Sequence, residues 1–379
     1  MFHFSLKVNR KSYPKTKFDK IRRVVYSCFI NLQGGRKMKT ITLGSTGITT
    51  PQNGFGALPV QRDDMETSIK ILRKAYEGGM TFFDTARAYT DSEEKIGNAL
   101  SDIRENIFIA TKTAATTPEG FWKDLETSLG LLKTDYVDIY QFHQASQCYK
   151  PGDGTGMYEA MLEAKAQGKI RHIGITAHKI NVAEEAVESG LYETLQFPLS
   201  YLSGEKELEL VRRCKEKNMG FIAMKALAGG LIRNSAAAFA FMNQFDNVIP
   251  IWGIQRMNEL EEFLGFFKNP AEMSGSLLET IEKDRAELAG DFCRGCGYCM
   301  PCPADIQIND CARMSLLIRR APSKTWISEE WQNEMAKIEN CIHCGKCKTK
   351  CPYGLDAAEI LVKNLEDYKR IIAGEVSVN

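Results

Sequence analysis

Eight cysteines near the C-terminal end of the chain stand in two runs whose spacing suits metal binding. The first run reads CRGCGYCMPCP (293–303) and the second reads CIHCGKCKTKCP (341–352). The second run has the bacterial Cx2Cx2Cx3CP spacing of a [4Fe–4S] site, and the first is one residue short in its last gap. Thiolates at i, i+3 and i+6 can bind three corners of a cubane cluster. In two-cluster proteins, the fourth cysteine, before the proline, ligates the other cluster.

This rule divides the eight thiols between two predicted [4Fe–4S] clusters. Cluster one takes Cys293, Cys296, Cys299 and Cys351. Cluster two takes Cys341, Cys344, Cys347 and Cys302. The alternative is a pair of structural zinc sites, but zinc ribbons have separated pairs of cysteines and not four in a row followed by proline. Because such regular local spacing does not suit a disulfide framework, the thiols predict a reducing, cytoplasmic location.

Four other polar residues lie at or just after the ends of three consecutive predicted strands. Asp84 lies in TFFDTA with Tyr89 in the loop that follows, Lys112 lies in IFIATKT, and His143 ends YVDIYQFH. A lysine buried beside an aspartate would form an ion pair, and its charge would depress the pKa of the tyrosine. Such a tyrosine can donate a proton to a carbonyl oxygen while the histidine orients the carbonyl. The set therefore predicts carbonyl reduction with hydride from a nicotinamide, although each residue alone has an ordinary structural interpretation.

These four residues need a scaffold that brings consecutive strand ends together. Between residues 53 and 267, eight strand-like segments alternate with amphipathic helical patterns. The strands are expected at 53–59, 81–86, 107–113, 136–143, 171–177, 194–200, 220–226 and 247–254. This alternation predicts an α/β fold, a closed (β/α)8 TIM barrel with its chemistry at the C-terminal ends of the strands. A doubly wound open sheet is the alternative, but GFGALPVQRDD lacks the GxGxxG phosphate loop.

The alternation stops near residue 268, where KNPAEMSGS predicts a domain boundary. We expect the barrel over 38–270 and a small, mainly α-helical, ferredoxin-like iron–sulfur domain over 276–379. Residues 1–37 carry ten Lys or Arg and a single acid, Asp19. They are predicted to be a disordered or over-called basic extension rather than an export signal. The net charge of +1 argues against a nucleic-acid partner, and no apolar run reaches the ~18 residues of a membrane span.

Several segments of the barrel region resemble the aldo-keto reductases. They are FFDTARAYTDSEEKIGNAL, IFIATKT, YVDIYQFH and GKIRHIGIT, within roughly residues 38–267. The resemblance implies an NAD(P)H-binding (β/α)8 barrel in which Tyr89 is the general acid. It also implies that Asp84 and Lys112 tune the tyrosine and that His143 orients the substrate. With the cysteine tail included, the whole chain resembles the group of these enzymes that carries a C-terminal ferredoxin-like domain with two [4Fe–4S] clusters.

The resemblance is less complete around the dinucleotide. The predicted contacts are Gly56, Ala57, Thr176, Gln196, Lys225 and Arg256. Gln196 matches the glutamine of the sixth strand in the family, whereas Ala177 replaces a usual asparagine and Met224 replaces a usual stacking aromatic. Arg256 is the nearest cation to the position where the family often binds a 2′-phosphate. The cofactor is therefore predicted as NADP or NAD, with the choice left open.

Three functions fit these residues. The leading prediction is a cytoplasmic oxidoreductase that reduces a carbonyl, or oxidises an alcohol, with NAD(P)H. Its two clusters would exchange electrons with a ferredoxin- or flavodoxin-type partner, and no nucleic acid or membrane is involved. The second is a plain two-electron reductase with structural or sensory clusters. The third is an electron-transfer protein whose barrel no longer binds nicotinamide.

Overall fold

The computed structural model describes residues 38–288, 292–320 and 323–378, so the predicted basic extension at 1–37 lies outside the described residues. The first elements form an antiparallel hairpin, β1 (Thr40–Thr42) with β2 (Thr49–Pro51). Ile41 and Leu43 pack with Phe82 and Ile249, which lie near the starts of two barrel strands. The hairpin therefore closes the N-terminal end of the barrel.

Eight parallel strands within the described residues form a closed barrel. They are β3 (Gly54–Gly56), β4 (Phe82–Asp84), β5 (Phe108–Thr113), β6 (Val137–Phe142), β7 (Ile170–Thr176), β8 (Thr194–Pro198), β9 (Gly220–Met224) and β10 (Val248–Gly253). Each strand pairs with the next, and β10 pairs with β3 to close the ring. Parallel strands buried on both faces favour the β-branched and aromatic residues that fill these segments. The predicted TIM barrel is confirmed, and the open-sheet alternative is wrong.

One helix follows each barrel strand in the described part of the chain. These helices are α1 (Met65–Glu77), α2 (Ser92–Leu100), α3 (Pro118–Leu132), α4 (Met157–Ala166), α5 (Ile180–Ser189), α6 (Glu205–Glu216), α7 (Ser235–Met242) and α8 (Met257–Lys268). Local sequence sets their starts, as α3 shows. Thr117 Oγ1 accepts a hydrogen bond from Gly120 N at 3.2 Å, and Pro118 occupies the first helical position.

The C-terminal region is helical. The first helix, α9 (Gly275–Glu287), packs on the barrel, because Ile281 belongs to the barrel core and the Tyr201 hydroxyl bonds to Asp284. The others are α10 (Ile308–Cys311), α11 (Met314–Arg320), α12 (Ser323–Trp326), α13 (Glu329–Ala336), α14 (Lys346–Thr349) and α15 (Ala357–Ile372). Helix α15 buries Leu361 and Leu365 in a separate core, as its apolar spacing dictates. None of the helices that the structure describes is both long and apolar enough to cross a bilayer.

Candidate active site and cysteine clusters

The centre of the site is a buried ion pair between neighbouring barrel strands. Asp84 ends β4 and Lys112 lies near the end of β5, so both side chains reach the barrel mouth. Lys112 Nζ lies 2.7 Å from Asp84 Oδ1 and also donates to the Thr85 carbonyl at 2.5 Å. Burial raises the pKa of Asp84 and lowers that of Lys112, and each charge opposes the shift of the other. Burial thus favours the neutral form of each member, and the bond between them favours the charged forms.

Tyr89 and His143 lie beside this pair. Their rings meet edge to face, with centroids 5.6 Å apart and an interplanar angle of 79°. Lys112 Nζ lies 5.3 Å from the centroid of the Tyr89 ring. His143 directly follows β6, and its backbone N donates to the Thr113 carbonyl at 2.8 Å. The structure thus brings the four predicted catalytic residues together, and their catalytic roles remain predictions.

The protonation of Tyr89 differs from the expectation. Burial, followed by the charge of Asp84, raises its pKa. The predicted depression of this pKa by Lys112 is wrong, because the amine faces the ring and its hydrogen bonds go to Asp84 and Thr85. Burial, followed by the charge of Lys112, lowers the pKa of His143 to about 3. At neutral pH the phenol is therefore protonated and the imidazole is neutral.

A line of buried amides extends from the ion pair across the barrel interior. Gln196 on β8 donates to Asp84 Oδ1 at 3.5 Å, and Gln141 on β6 donates to Gln196 Oε1 at 2.9 Å. Gln141 Oε1 and His178 Nδ1 are buried without a hydrogen-bond partner among the described residues. Because buried polar atoms are rarely left unpaired, these atoms suit a bound polar group such as a nicotinamide carboxamide.

Gln141 and His178 were not among the residues predicted for the site. Gln141 could have been found, because strand side chains alternate and it lies two positions before His143 on the same face of one segment. His178 follows the position where the family has asparagine, but its place in the sequence alone does not indicate that it belongs to the site. Burial, followed by the charges of Lys225 and His143, lowers the pKa of His178 to about 3.

Other predicted nucleotide contacts are engaged within the protein. Gly56 ends β3, where an added Cβ would lie 3.0 Å from the Trp252 carbonyl, and the backbone N of Ala57 donates to the Asp84 carbonyl at 2.8 Å. Thr176 Oγ1 accepts from the backbone N of Gln144 at 2.7 Å. Arg256 is 62% exposed and bonds to Glu259 at 3.0 Å, outside the buried set. The roles of these four residues toward the dinucleotide remain predictions.

Lys225 bonds to the first cysteine run. It follows β9 with a φ of 56°, and its Nζ donates to the carbonyls of Arg294 at 3.2 Å and Gly295 at 3.0 Å. Burial lowers its pKa to about 8. A cation predicted to contact the dinucleotide thus links the barrel mouth to the cysteine module.

Tyr298 of the same run contacts another part of the mouth. Its hydroxyl donates to the Gln144 carbonyl at 3.3 Å, and its ring lies edge-on to His178 with 5.6 Å between centroids. Arg313 also donates to the Gly229 carbonyl at 3.3 Å. These contacts reach the loops after β6, β7 and β9, so the first run lies over the C-terminal mouth of the barrel.

The thiols predicted for cluster one border a single cavity. Its volume is about 380 Å³, including space open to solvent, and Cys347 lies at its border as well. The four predicted ligands in its lining are Cys293, Cys296, Cys299 and Cys351. All are free thiols. In the described ranges, no three Cys, His, Asp or Glu side chains converge as they would on one metal ion. A cavity bordered by several thiols suits a group larger than one ion.

The thiols predicted for cluster two lie at the edge of the C-terminal core. Cys302, Cys341 and Cys347 pack against that core, whereas Cys344 is exposed. Their assignment to one cluster remains a prediction.

Comparison with known proteins gives matches in both parts of the chain. The model of the aldo/keto reductase family matches residues 41–246, more than half of the chain, and that of a 4Fe-4S dicluster domain matches residues 292–356. Aldo-keto reductase YhdN from Bacillus subtilis (strain 168) is 29% identical over 52% of this chain, which covers 64% of that protein, less than two thirds of its length. NADH-specific methylglyoxal reductase from Escherichia coli (strain K12) is 28% identical over 52% of this chain and 69% of its own length.

Among solved structures, the holo form of aldo-keto reductase AKR11C1 from Bacillus halodurans is similar with a TM-score of 0.58. The likeness covers 65% of this chain and 96% of that one, and at 22% identity it concerns the fold alone. The family match, the closed barrel and the C-terminal cysteine runs agree. The chain therefore belongs to the aldo/keto reductase family and carries a 4Fe-4S dicluster domain at its C-terminal end.

Proposed function

We propose that the barrel mouth reduces a small carbonyl compound with NAD(P)H, or oxidises the corresponding alcohol. The observation that carries this proposal is the Lys112–Asp84 bond of 2.7 Å beside the edge-to-face contact of Tyr89 with His143. A bound dinucleotide would supply or accept the hydride. The E. coli relative that is named for reducing methylglyoxal supports a small carbonyl as the substrate.

Each of the four residues has a part that its environment supports. Tyr89 holds its proton at neutral pH and gives it to the carbonyl oxygen as the alcohol forms. Lys112, held by Asp84 and Thr85, places its amine 5.3 Å from the centroid of the Tyr89 ring and so positions the tyrosine through a cation–π contact. His143 is neutral and orients the carbonyl through a hydrogen bond.

We propose that Gln141, Gln196 and His178 hold the amide end of the nicotinamide. The unpaired Gln141 Oε1 and His178 Nδ1 support this assignment. Gly56, Ala57 and Thr176 would border the dinucleotide from the ends of β3 and β7. Lys225 and Arg256 would need to exchange their present partners to bind phosphate.

We also propose that the cysteines hold two [4Fe–4S] clusters that relay electrons between the barrel and a ferredoxin- or flavodoxin-type protein in a reducing, cytoplasmic environment. The contacts of Lys225 and Tyr298 support the relay, because they hold the first run against the mouth. The same contacts also favour a second candidate function, in which the clusters are structural. They would stabilise the module where it borders the barrel mouth.

Replacement of the proposed acid tests the barrel chemistry. Tyr89→Phe should lower kcat by about 10²- to 10⁴-fold, since the variant cannot donate the proton. Nucleotide affinity should stay near that of the unmodified protein. Tyr136→Phe is the matched control, because this tyrosine precedes β6 at the opposite end of the barrel and stacks with Arg104 and Arg171. Full turnover by Tyr89→Phe would refute the assignment of the acid.

Anaerobic purification followed by nucleotide titration tests the relay. Two clusters correspond to about eight iron and eight sulfide ions per chain. NADH and NADPH are then added separately while the cluster absorbance is followed, which also decides between NAD and NADP. Bleaching supports the relay. Nucleotide binding without bleaching, together with full kcat in Cys344→Ala, favours structural clusters, and absence of nucleotide binding favours a barrel that has lost nicotinamide.

A further inference from the structure

We propose that the second cysteine run, residues 341–352, is the docking face for a small acidic one-electron carrier protein. This inference rests on the proposed function, because it assumes that the clusters exchange electrons with a partner. It goes further by assigning the docking face on this chain and the charge of the partner.

The two cysteine runs differ in what covers them. The first run bonds to the barrel through Lys225 and Tyr298. In the second run, residues 342–346 and 348–350 are all exposed. Among the eight predicted ligands, all of them within the described residues, Cys344 alone is exposed. The second run is therefore the part of the module where a partner can approach a predicted cluster ligand.

This accessible run is basic. It contains Lys346, Lys348 and Lys350 and has no acidic residue between Cys341 and Pro352. Lys348 pairs with Asp356 at 2.9 Å. Within the part of the chain that the structure describes, no carboxylate lies within ion-pair distance of the other two lysines. The preceding Glu339 is already paired with Lys369. The exposed run thus contributes three lysines and no carboxylate of its own, which favours an acidic partner.

An apolar side chain stands within the basic surface. Ile342, between two predicted ligands, is 65% exposed, the largest value among the large hydrophobic residues that the structure describes. A scattered exposed isoleucine needs no special explanation, but this one lies two positions before the exposed Cys344 and four before Lys346 in the chain. Weak electron-transfer complexes use small interfaces, below about 1,200 Å². A single apolar contact with surrounding charges that steer the encounter is enough for such a complex.

The electron transfer at this face balances without any other reactant. The donor protein loses one electron and cluster two gains one, and no atom or proton moves.

Charge reversal in the second run tests the docking face. The holoprotein is mixed in a stopped-flow instrument with a reduced acidic flavodoxin, whose flavin absorbance is distinct from that of the clusters. For Lys346→Glu/Lys350→Glu we expect at least a tenfold fall in the second-order rate constant at low salt. The rate constants of the variant and the unmodified protein should become equal in ~1 M salt, where the Debye length falls to about 3 Å. The matched control is Lys123→Glu/Lys268→Glu, which makes the same charge change on α3 and α8 and should stay within about twofold of the unmodified protein.

A second variant and a salt series keep the test decisive. Ile342→Gln should slow the reaction at every salt concentration, because it removes apolar contact and no charge. If the charge-reversed protein loses iron, the salt dependence of the unmodified protein decides, and a rate that does not change with salt overturns the docking face. An equal loss in the control variant also overturns it. Normal flavodoxin kinetics without any carbonyl turnover would contradict the proposed function and leave the docking face standing.

Discussion

Burial favours the neutral form of each of the four catalytic candidates. The side chains of Asp84 and Lys112 are 3% and 1% exposed, and the bond between them favours their charged forms. Removing one member of such a buried pair costs about 3–5 kcal/mol, because a lone charge is left behind. The same burial keeps Tyr89 protonated and His143 neutral. Tyr89, which gives the proton, and His143, which orients the carbonyl, thus need no change in charge before the reaction.

Ionisation of His143 should not affect the pH dependence of kcat/KM near neutrality. Burial, followed by Lys112, lowers its pKa to about 3, so protonation begins only well below pH 5. We expect kcat/KM to show no limb from His143 between pH 5 and 8, and His143→Gln to lower kcat/KM by the same factor across that range. Steady-state kinetics of the two proteins at matched ionic strength measure this. An acid limb near pH 6.5 that disappears in His143→Gln would show that the imidazole titrates normally.

At the scale of the elements, two short segments join the barrel to the cysteine module. One is the turn after β9, where Lys225 adopts a left-handed φ of 56° that residues other than glycine seldom occupy. Its amine bonds to two carbonyls of the first run. The other is the Gly297–Cys299 segment, whose central Tyr298 reaches Gln144 and His178. Together these segments connect the predicted ligands of cluster one to the loops that carry His143 and His178.

Lys225→Met should loosen the first run. The substitution removes the amine that bonds to two partly buried carbonyls, at a cost of about 1–3 kcal/mol. Amide hydrogen exchange over residues 293–302 should therefore accelerate by about tenfold or more, as mass spectrometry on the holoprotein would show. Lys217→Met, on an exposed lysine after α6, is the control and should change nothing in that peptide. Unchanged exchange in Lys225→Met, with full iron content, would mean that these bonds do not hold the run.

At the scale of the whole molecule, the C-terminal region makes apolar contacts with the barrel. Helix α9 packs on the barrel through Ile281. Leu231 of the barrel, Leu288 at the end of α9 and Leu317 of the module form one further cluster. We therefore propose that the barrel unit extends through α9 and that the cysteine module begins near residue 292. The predicted ligand set of cluster one also spans both runs, and Cys351 of the second run borders the same cavity as Cys293, together with Cys347, which is predicted for cluster two.

The predicted ligand sets, each with one cysteine from the other run, imply which cluster each cysteine variant would lose. Cys351→Ser should alter the same cluster as Cys296→Ser, although the two residues belong to different runs. Electron paramagnetic resonance of the dithionite-reduced proteins should therefore give matching residual spectra for these two variants, and a different one for Cys344→Ser. Iron analysis checks that each variant keeps one cluster. If Cys351→Ser instead matches Cys344→Ser, each run would hold its own cluster.

Local patterns in the sequence were enough to predict the barrel and the four residues at its mouth. Eight short apolar segments alternate with amphipathic helices, and the strands in the structure lie within a few residues of the predicted segments. Asp84, Lys112 and His143 could be grouped without coordinates, because the C-terminal ends of all strands in a parallel barrel meet at one mouth. The cysteine spacing predicted the 4Fe-4S module in the same way, since ligand geometry constrains neighbouring positions.

Only the tertiary structure decided how the module meets the barrel and how the site is charged. Lys225 bonds to Gly295 across 70 positions of sequence, and Tyr298 bonds to Gln144 across 154. Neither the hydrophobic periodicity nor the spacing of motifs in the sequence predicts such pairs. The direction of the pKa shift of Tyr89 could not be predicted from the sequence either, because it depends on burial and on whether Lys112 faces the ring or the hydroxyl. Contacts between distant segments, and the loss of water around them, exist only once the chain is folded.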